Sequence, residues 1–247
     1  MNKKLEKKVI IVTGGNGLIG KEIVNQIKSE GAICINFEIN QDTTENLSNV
    51  YCDITDETSI KNALSIVLKK YKRIDGLVNN AYPRTKDWGK KFEDIELASW
   101  KQNIDWQLNS YFYLSQQVVI QMAKQQKGSI VNIASIYGVL APDFTIYEDT
   151  EMTMPAAYSA IKSGLINLTR YMASYFGPKQ IRINCVSPGG IFDNQNQKFV
   201  NNYEKKVPMR RMGKPEDIAP SVVFLLSDDA DYITGQNIII DGGWTIT

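Results

Sequence analysis

Tyr158 and Lys162 are four positions apart, and Ser135 stands upstream at the end of an apolar run. Residues four apart on a helix share one face, so the two side chains would be neighbours. A lysine ammonium favours the phenolate and would lower the tyrosine pKa from its usual value of about 10. The sequence therefore predicts a pair that exchanges a proton with an alcohol, although this spacing alone also fits a solvated helix face carrying one aromatic residue.

The chain contains no histidine. This excludes Ser-His-Asp hydrolysis, histidine zinc sites and histidine general-base chemistry. The three cysteines, Cys34, Cys52 and Cys185, fall in predicted strands without metal-ligand spacing, so we expect buried thiols and no metal site.

The composition is that of an ordinary globular protein, with 247 residues, 43% hydrophobic and 22% charged, and a net charge of +1. Such a balance provides no field to attract nucleic acid. No apolar run is long enough to span a membrane, and the N-terminus lacks the pattern of a signal peptide. We expect a cytoplasmic enzyme with a small polar substrate and neither nucleic-acid nor membrane partners.

Short apolar strands alternate with amphipathic helices, which predicts an α/β fold with a doubly wound parallel sheet. One Rossmann domain should cover residues 1–247. Two segments look irregular: a substrate loop at 141–155, which carries several carboxylates, and residues 190–211. The predicted strands are 8–13, 32–37, 49–52, 74–79, 128–134, 180–186 and 237–240, and the predicted helices are 18–29, 56–71, 99–125, 156–176 and 215–227.

A glycine-rich loop follows the first predicted strand and opens the first helix. Its position fits a dinucleotide pyrophosphate held on free amides at a helix N-terminus, although a tight strand-to-helix turn gives the same pattern. Glu38 ends the second strand, where a carboxylate accepts ribose hydroxyls and repels a 2′-phosphate. No cation follows it at Ile39 or Asn40, so NAD is favoured over NADP.

Further motifs follow in order along the chain, and together they resemble the compact single-domain branch of the short-chain dehydrogenase/reductase superfamily. The resemblance covers essentially the whole chain. The motifs are Cys52-Asp53-Ile54-Thr55-Asp56, Asn79-Asn80-Ala81, Asn132-Ile133-Ala134-Ser135, Asn184-Cys185-Val186-Ser187-Pro188-Gly189, Arg211 to Asp217, and Thr234-Gly235-Gln236 with Asp241-Gly242-Gly243.

The resemblance implies a role for each site residue. Tyr158 would be the general acid or base, Ser135 would stabilise the reacting oxygen, and Lys162 would bind the nicotinamide ribose and lower the pKa of Tyr158. It also implies a homodimer or homotetramer. The cofactor-binding set would be Gly14, Asn16, Gly17, Leu18, Ile19, Gly20, Glu38, Asp53, Ile54, Asn80, Ala81, Tyr158, Lys162, Pro188, Gly189 and Ile191.

The sequence departs from the compact-branch pattern at several positions. Leu18 gives the glycine loop a spacing typical of the longer branch that modifies nucleotide sugars. The asparagine that is usually the fourth catalytic residue is replaced by Gln107, with Asn109 two positions on. Two such positions point about 200° apart on a regular helix, so only one faces the site, and an inward Asn109 would require a local bulge. We favour Gln107 as the fourth catalytic residue, because its amide could hold a water for proton relay.

Three more departures concern the substrate side. Tyr82 replaces the usual glycine after Asn-Asn-Ala, where it would wall the pocket or pack on the loop. Asp193 replaces a threonine and should turn toward substrate or solvent. The 22 residues between Ser135 and Tyr158 are about ten more than usual and include the acidic substrate loop, which suits a hydroxyl-rich or amine-bearing substrate or is simply solvated.

We predict an NAD-dependent oxidoreductase that moves hydride between nicotinamide and a secondary alcohol or ketone. The extra residues and the Pro-Gly-Gly-Ile-Phe-Asp-Asn segment resemble a subgroup of flagellin-modification and nonulosonic-acid pathway oxidoreductases, which favours a sugar or amino-sugar substrate. Three alternatives stay open: a sugar epimerase or dehydratase with tightly bound NAD, a 3-oxoacyl-thioester reductase, and a non-catalytic dinucleotide sensor.

Overall fold

Seven short apolar segments pair in parallel to form one sheet in the computed structural model, which describes residues 3–247. The sheet order is β3-β2-β1-β4-β5-β6-β7. The predicted α/β fold with a doubly wound parallel sheet is confirmed. The strands are β1 (Val9–Thr13), β2 (Ile33–Glu38), β3 (Asn49–Tyr51), β4 (Gly76–Asn79), β5 (Gly128–Ile133), β6 (Ile181–Pro188) and β7 (Asn237–Ile240).

Both sheet faces are covered by helices, which explains why the strands read as continuous apolar runs. Successive residues of β1 point to opposite faces of the sheet and so belong to two different cores. Ile10 and Val12 pack with α1 (Leu18–Ser29) and α7 (Pro215–Leu226). Val9 and Ile11 lie in the core on the other face. That core contains residues from three helices, α2 (Glu57–Tyr71), α4 (Ser110–Gln125) and α5 (Ala156–Phe176).

The strand order reverses beside β1, because β1 pairs with β2 on one side and with β4 on the other. A crevice opens at the carboxyl ends of the strands at such a switch point, and ligands of α/β proteins bind there. The glycine loop, Asn80 and Ser135 all follow strands at this edge.

The segment predicted as one helix over 99–125 is interrupted. Helix α3 (Leu97–Ile104) passes into a π-helical turn at Asp105–Asn109, after which α4 begins. A π turn inserts an extra residue and changes which side chains face inward, and apolar periodicity does not reveal it.

The segment 190–211, predicted to be irregular, contains helix α6 (Gln197–Lys206). Only three of its residues are buried, Phe199, Val200 and Tyr203, and the others are polar or charged. This short apolar face packs in a third cluster with Tyr137, Tyr147 and other residues, away from both main cores. Within residues 3–247, no helix has the length and apolar character needed to cross a membrane.

Candidate active site

One cavity of about 860 Å³ opens at the carboxyl ends of the strands. Every residue predicted to bind the cofactor lines it, from the glycine loop to Ile191. Ser135, Tyr158 and Lys162 line the same cavity. The fold therefore brings the predicted cofactor and proton-transfer residues into a single space.

Two glycines of the loop are required by close packing. Gly14 has φ +64°, and a Cβ there would lie 2.8 Å from the Cα of Ala81. A Cβ on Gly20 would lie 2.6 Å from the Asn80 amide nitrogen. That amide donates to the carbonyls of Thr13 (3.1 Å) and Gly14 (2.9 Å), so Asn80 holds the loop in place as well as lining the cavity.

The N-terminus of α1 faces the cavity and is suited to a pyrophosphate. Gly17 is the N-cap and has no side chain to satisfy the first helical N–H groups. Leu18, Ile19 and Gly20, which carry those groups, line the cavity. Free amides and the positive end of the helix dipole favour an anion at this place.

Glu38 stands at the end of β2 beside the glycine loop. Its carboxylate accepts hydrogen bonds from the backbone N–H of Ile39 at 3.0 Å and of Asn16 at 3.4 Å. These contacts aim the carboxylate into the cavity where an adenosine ribose would lie. The cations that line the cavity, within the described part of the chain, are Arg84 and Lys162, and both belong to the far side with Tyr158.

Ser135 and Lys162 both lie near Tyr158, and each is fixed by a contact with the backbone. The Ser135 hydroxyl accepts from the Tyr137 N–H at 3.2 Å, at the start of a 3-10 turn. Lys162 donates to the Ile133 carbonyl at 2.8 Å, and its Nζ lies 5.4 Å from the centre of the Tyr158 ring. Tyr158 itself sits in the first turn of α5.

The expectation that Lys162 lowers the pKa of Tyr158 is wrong for this arrangement. Burial raises the pKa of the Tyr158 hydroxyl, and the opposing contribution comes from the Ser135 hydroxyl. Burial also lowers the pKa of Lys162 to about 8, because its ammonium is poorly solvated. Residue spacing in the sequence does not reveal this desolvation.

Gln107 is buried on the π-helical turn, and Asn109 is exposed and donates to Asp105 at 3.0 Å. The inward residue is therefore Gln107, as predicted, yet the bulge forms as well. Neither amide atom of Gln107 has a hydrogen-bond partner among residues 3–247. Gln107 does not line the cavity, so the structure does not place it in direct contact with the space that Tyr158 and Lys162 line.

Aromatic side chains form a wall beside Tyr158, and the sequence predicts only one of them, Tyr82. The ring centres of Tyr82 and Tyr158 are 5.6 Å apart, and Trp88 packs edge-on against both. Tyr82 was singled out as a possible pocket wall, and it does line the cavity. Trp88 had no signal in the sequence, because its position depends on the path of the loop after β4.

The carboxylates of the substrate loop (residues 141–155) do not line the cavity, so of the two interpretations left open the structure gives no support to substrate contact by these groups. Asp143 pairs with Lys206, and Asp149 pairs with Lys198 at 2.6 Å, both lysines being on α6. The loop residues that line the cavity are Tyr147, Met152, Thr153, Met154 and Pro155. The two ion pairs thus attach the loop to α6, and the side facing substrate is largely apolar.

Comparison with known proteins identifies the family. The family model described as Enoyl-(Acyl carrier protein) reductase matches residues 16–245. The crystal structure of a short chain dehydrogenase from Leptospira borgpetersenii with bound NAD+ is 36% identical, has a TM-score of 0.90, and aligns over 99% of this chain and 95% of that one. The chain is a short-chain dehydrogenase/reductase.

Two curated relatives of this short-chain dehydrogenase/reductase are similar over nearly their whole length. Post-translational flagellin modification protein A of Campylobacter coli is 36% identical, covering 97% of this chain and 99% of that protein. The 7alpha-hydroxysteroid dehydrogenase of Bacteroides fragilis is 35% identical, covering 98% and 96%. The predicted activity class is confirmed: the chain is an NAD(P)-dependent oxidoreductase of CH-OH groups.

Lys162 makes the stability of this short-chain dehydrogenase/reductase depend on pH. Its pKa is about 8 when folded and 10.5 in the free side chain, so the unfolded chain binds more protons between these values. The free energy of unfolding should therefore rise with pH across this window, by up to about 3 kcal/mol relative to Lys162→Met. Urea unfolding of both proteins from pH 8 to 10 measures the difference, and parallel pH profiles would contradict the burial argument.

The contact between the substrate loop and α6 should affect substrate binding. Asp143→Asn removes the pair with Lys206, and we expect KM for substrate to rise a few-fold with little change in kcat, because the loop loses one attachment. Lys206 lowers the pKa of Asp143 to about 2, so the pair persists at neutral pH and is lost only as pH falls through that value. Steady-state kinetics at low and high salt measure the effect.

Glu148→Gln is the matched control for this prediction, since Glu148 is an exposed carboxylate in the same loop. It should leave KM unchanged. Equal effects of the two variants would mean that loop charge, and not the contact with α6, controls binding.

Proposed function

We propose that this short-chain dehydrogenase/reductase uses NAD to interconvert a secondary alcohol and a ketone on a sugar or amino-sugar derivative. The observation that carries the proposal is the single cavity, which has Glu38 at one end and Ser135, Tyr158 and Lys162 at the other. Bound NAD would accept hydride from the alcohol carbon, or return it to the ketone.

The preference for NAD over NADP rests on charge. Glu38 accepts two backbone hydrogen bonds and stays directed into the cavity, where it would accept the hydroxyls of the adenosine ribose. A 2′-phosphate there would face a carboxylate, and among residues 3–247 the cations that line the cavity, Arg84 and Lys162, lie at the Tyr158 side. Asp53 and Ile54 would border the adenine, and Pro188, Gly189 and Ile191 the nicotinamide.

Proton transfer belongs to Tyr158. Its hydroxyl takes the proton of the substrate alcohol during oxidation and returns it during reduction. Ser135 donates a hydrogen bond to the substrate oxygen and stabilises charge that develops there. Lys162 would hold the nicotinamide ribose, and the buried amide of Gln107, which has no partner among residues 3–247, would hold a water for proton relay.

The sugar substrate is supported by the wall of the cavity and by a relative. Tyr137, Tyr147 and Tyr203 line the cavity, together with Asp193 and Gln195. Flat aromatic faces with polar edges suit a ring that carries several hydroxyl groups. The Campylobacter coli relative is, moreover, a flagellin modification protein by name.

A 3-oxoacyl-thioester reductase is the second candidate, favoured by the apolar wall of Met152, Met154 and Met212 and by the description of the matching family model. A substrate panel decides between the two. It should contain sugars and amino sugars, their phosphates, nucleotide sugars, a 3-oxoacyl thioester and a hydroxysteroid, each assayed with NAD and NADP in the appropriate redox state. Turnover of the thioester or steroid alone would overturn the sugar proposal.

We also propose that the chain assembles into a homodimer or homotetramer. Helices α4 and α5 expose large apolar side chains, including Phe112, Ile120, Tyr171 and Tyr175, each at least 46% exposed. Pairing of these helices between subunits would bury them. Light scattering of the purified protein measures the assembly, and a monomer at micromolar concentration would contradict it.

A further inference from the structure

The segment that follows β4 places an arginine at the cavity. Tyr82, Pro83 and Arg84 line the cavity in succession. Arg84 is one of two cations that do so within residues 3–247, and the other, Lys162, is buried and donates to the Ile133 carbonyl. Only Arg84 is therefore available to a group that enters from solvent.

Arg84 has no carboxylate partner in the part of the chain that the structure describes. Nearby Lys90, by contrast, pairs with Glu96 at 3.1 Å and with Asp87 at 3.8 Å. The acidic residues that line the cavity are Glu38, Asp53 and Asp193, and none of them forms an ion pair with Arg84. The carboxylates of Asp143 and Asp149 in the substrate loop form ion pairs with lysines of α6.

Aromatic packing fixes the position of Arg84 relative to the proton-transfer tyrosine. Its Cζ lies 5.5 Å from the centre of the Tyr82 ring, and that ring centre lies 5.6 Å from the centre of the Tyr158 ring. The Trp88 ring packs edge-on against the Tyr82 ring, and their centres are 5.7 Å apart. A guanidinium has five N–H donors, which is more than the neighbouring Tyr82 hydroxyl can accept, so donors remain for an anion.

We propose that Arg84 binds an anionic group of the substrate, a carboxylate or a phosphate, and so selects acidic or phosphorylated substrates over neutral ones. A guanidinium donates two parallel hydrogen bonds to either anion. The contacts through Tyr82 place Arg84 in the same wall of the cavity as Tyr158. This inference rests on the proposed oxidoreductase function and specifies its substrate class.

Binding to the NADH-loaded enzyme tests the inference without turnover. The probes are matched pairs: glucuronate with glucuronamide for the carboxylate, and N-acetylglucosamine 6-phosphate with N-acetylglucosamine for the phosphate. Quenching of the fluorescence of bound NADH reports binding beside the nicotinamide. We expect at least one anionic member to bind about tenfold more tightly than its neutral partner, and this preference to weaken with added salt.

Arg84→Gln should remove the preference, so that the two members of the pair bind alike. Lys86→Gln is the matched control, because Lys86 is an exposed cation two positions away that does not line the cavity. It should keep the preference. Absence of any preference in the wild-type enzyme, its persistence in Arg84→Gln, or its equal loss in Lys86→Gln would each overturn the assignment to Arg84.

The same experiment separates the two proposals. If the preference for an anion depends on Arg84 but no sugar derivative in the substrate panel is oxidised, the anion site stands and the proposed sugar activity fails. If sugars are oxidised with no preference for an anionic member, the activity stands and the role of Arg84 fails.

Discussion

Tyr158→Phe is expected to lower kcat by roughly a thousandfold, because the variant keeps the ring and loses the hydroxyl that transfers the proton. NADH should bind as it does to the wild-type enzyme, since the hydroxyl is not needed to shape the adenosine end of the cavity. Stopped-flow or steady-state assays of the nicotinamide absorbance measure turnover, and titration of NADH fluorescence measures binding.

Tyr232→Phe is the matched control, because Tyr232 is fully exposed and lies outside the helices that we propose to pair between subunits. It should retain full turnover. A Tyr158→Phe enzyme with more than a tenth of the wild-type kcat would show that another group transfers the proton, and the role of Ser135, Tyr158 and Lys162 would need to be reassigned.

Glu38→Ser combined with Ile39→Arg is expected to reverse the cofactor preference. The carboxylate that accepts ribose hydroxyls is lost, and a guanidinium is placed where a 2′-phosphate would lie. We expect kcat/KM for NAD to fall by about 10- to 100-fold and kcat/KM for NADP to rise by a similar factor. The ratio of the two, measured with one substrate, gives the result directly.

Glu45→Gln removes an exposed carboxylate from the loop between β2 and β3 and should leave that ratio unchanged. If the wild-type enzyme already prefers NADP, the argument from Glu38 fails whatever the double variant does. If the double variant keeps its preference for NAD, another residue determines recognition of the ribose.

Much of the fold follows from the sequence because the sheet is buried on both faces. Strand β1 is buried at every position and apolar at all but Thr13, and turn residues follow it, so its position is predicted closely. Helix α6 was missed for the opposite reason, since three buried residues among polar ones give a weak periodic signal. The π-helical turn at Asp105–Asn109 leaves no compositional mark, although Gln107 was correctly placed inward.

The sequence predicts the site residues whose positions follow from the backbone. It does not predict the pKa shift and the ion pairs, which depend on the tertiary surroundings of a side chain. The glycine loop and Ser135 follow strands whose ends must meet at one edge of a parallel sheet. The direction of the Tyr158 pKa shift depends on burial, and the ion pairs of Asp143 and Asp149 depend on where α6 packs. Neither can be read from the spacing of residues along the chain.

The most direct test of the central claim is the stoichiometry of hydride transfer. With a substrate identified in the panel and NAD in excess, the amount of NADH released is compared with the amount of ketone formed. A dehydrogenase that uses Tyr158 as its base should release one NADH per ketone, and this release should be lost in Tyr158→Phe. Conversion of substrate without net NADH would contradict the account and would favour an epimerase or dehydratase that keeps its cofactor bound.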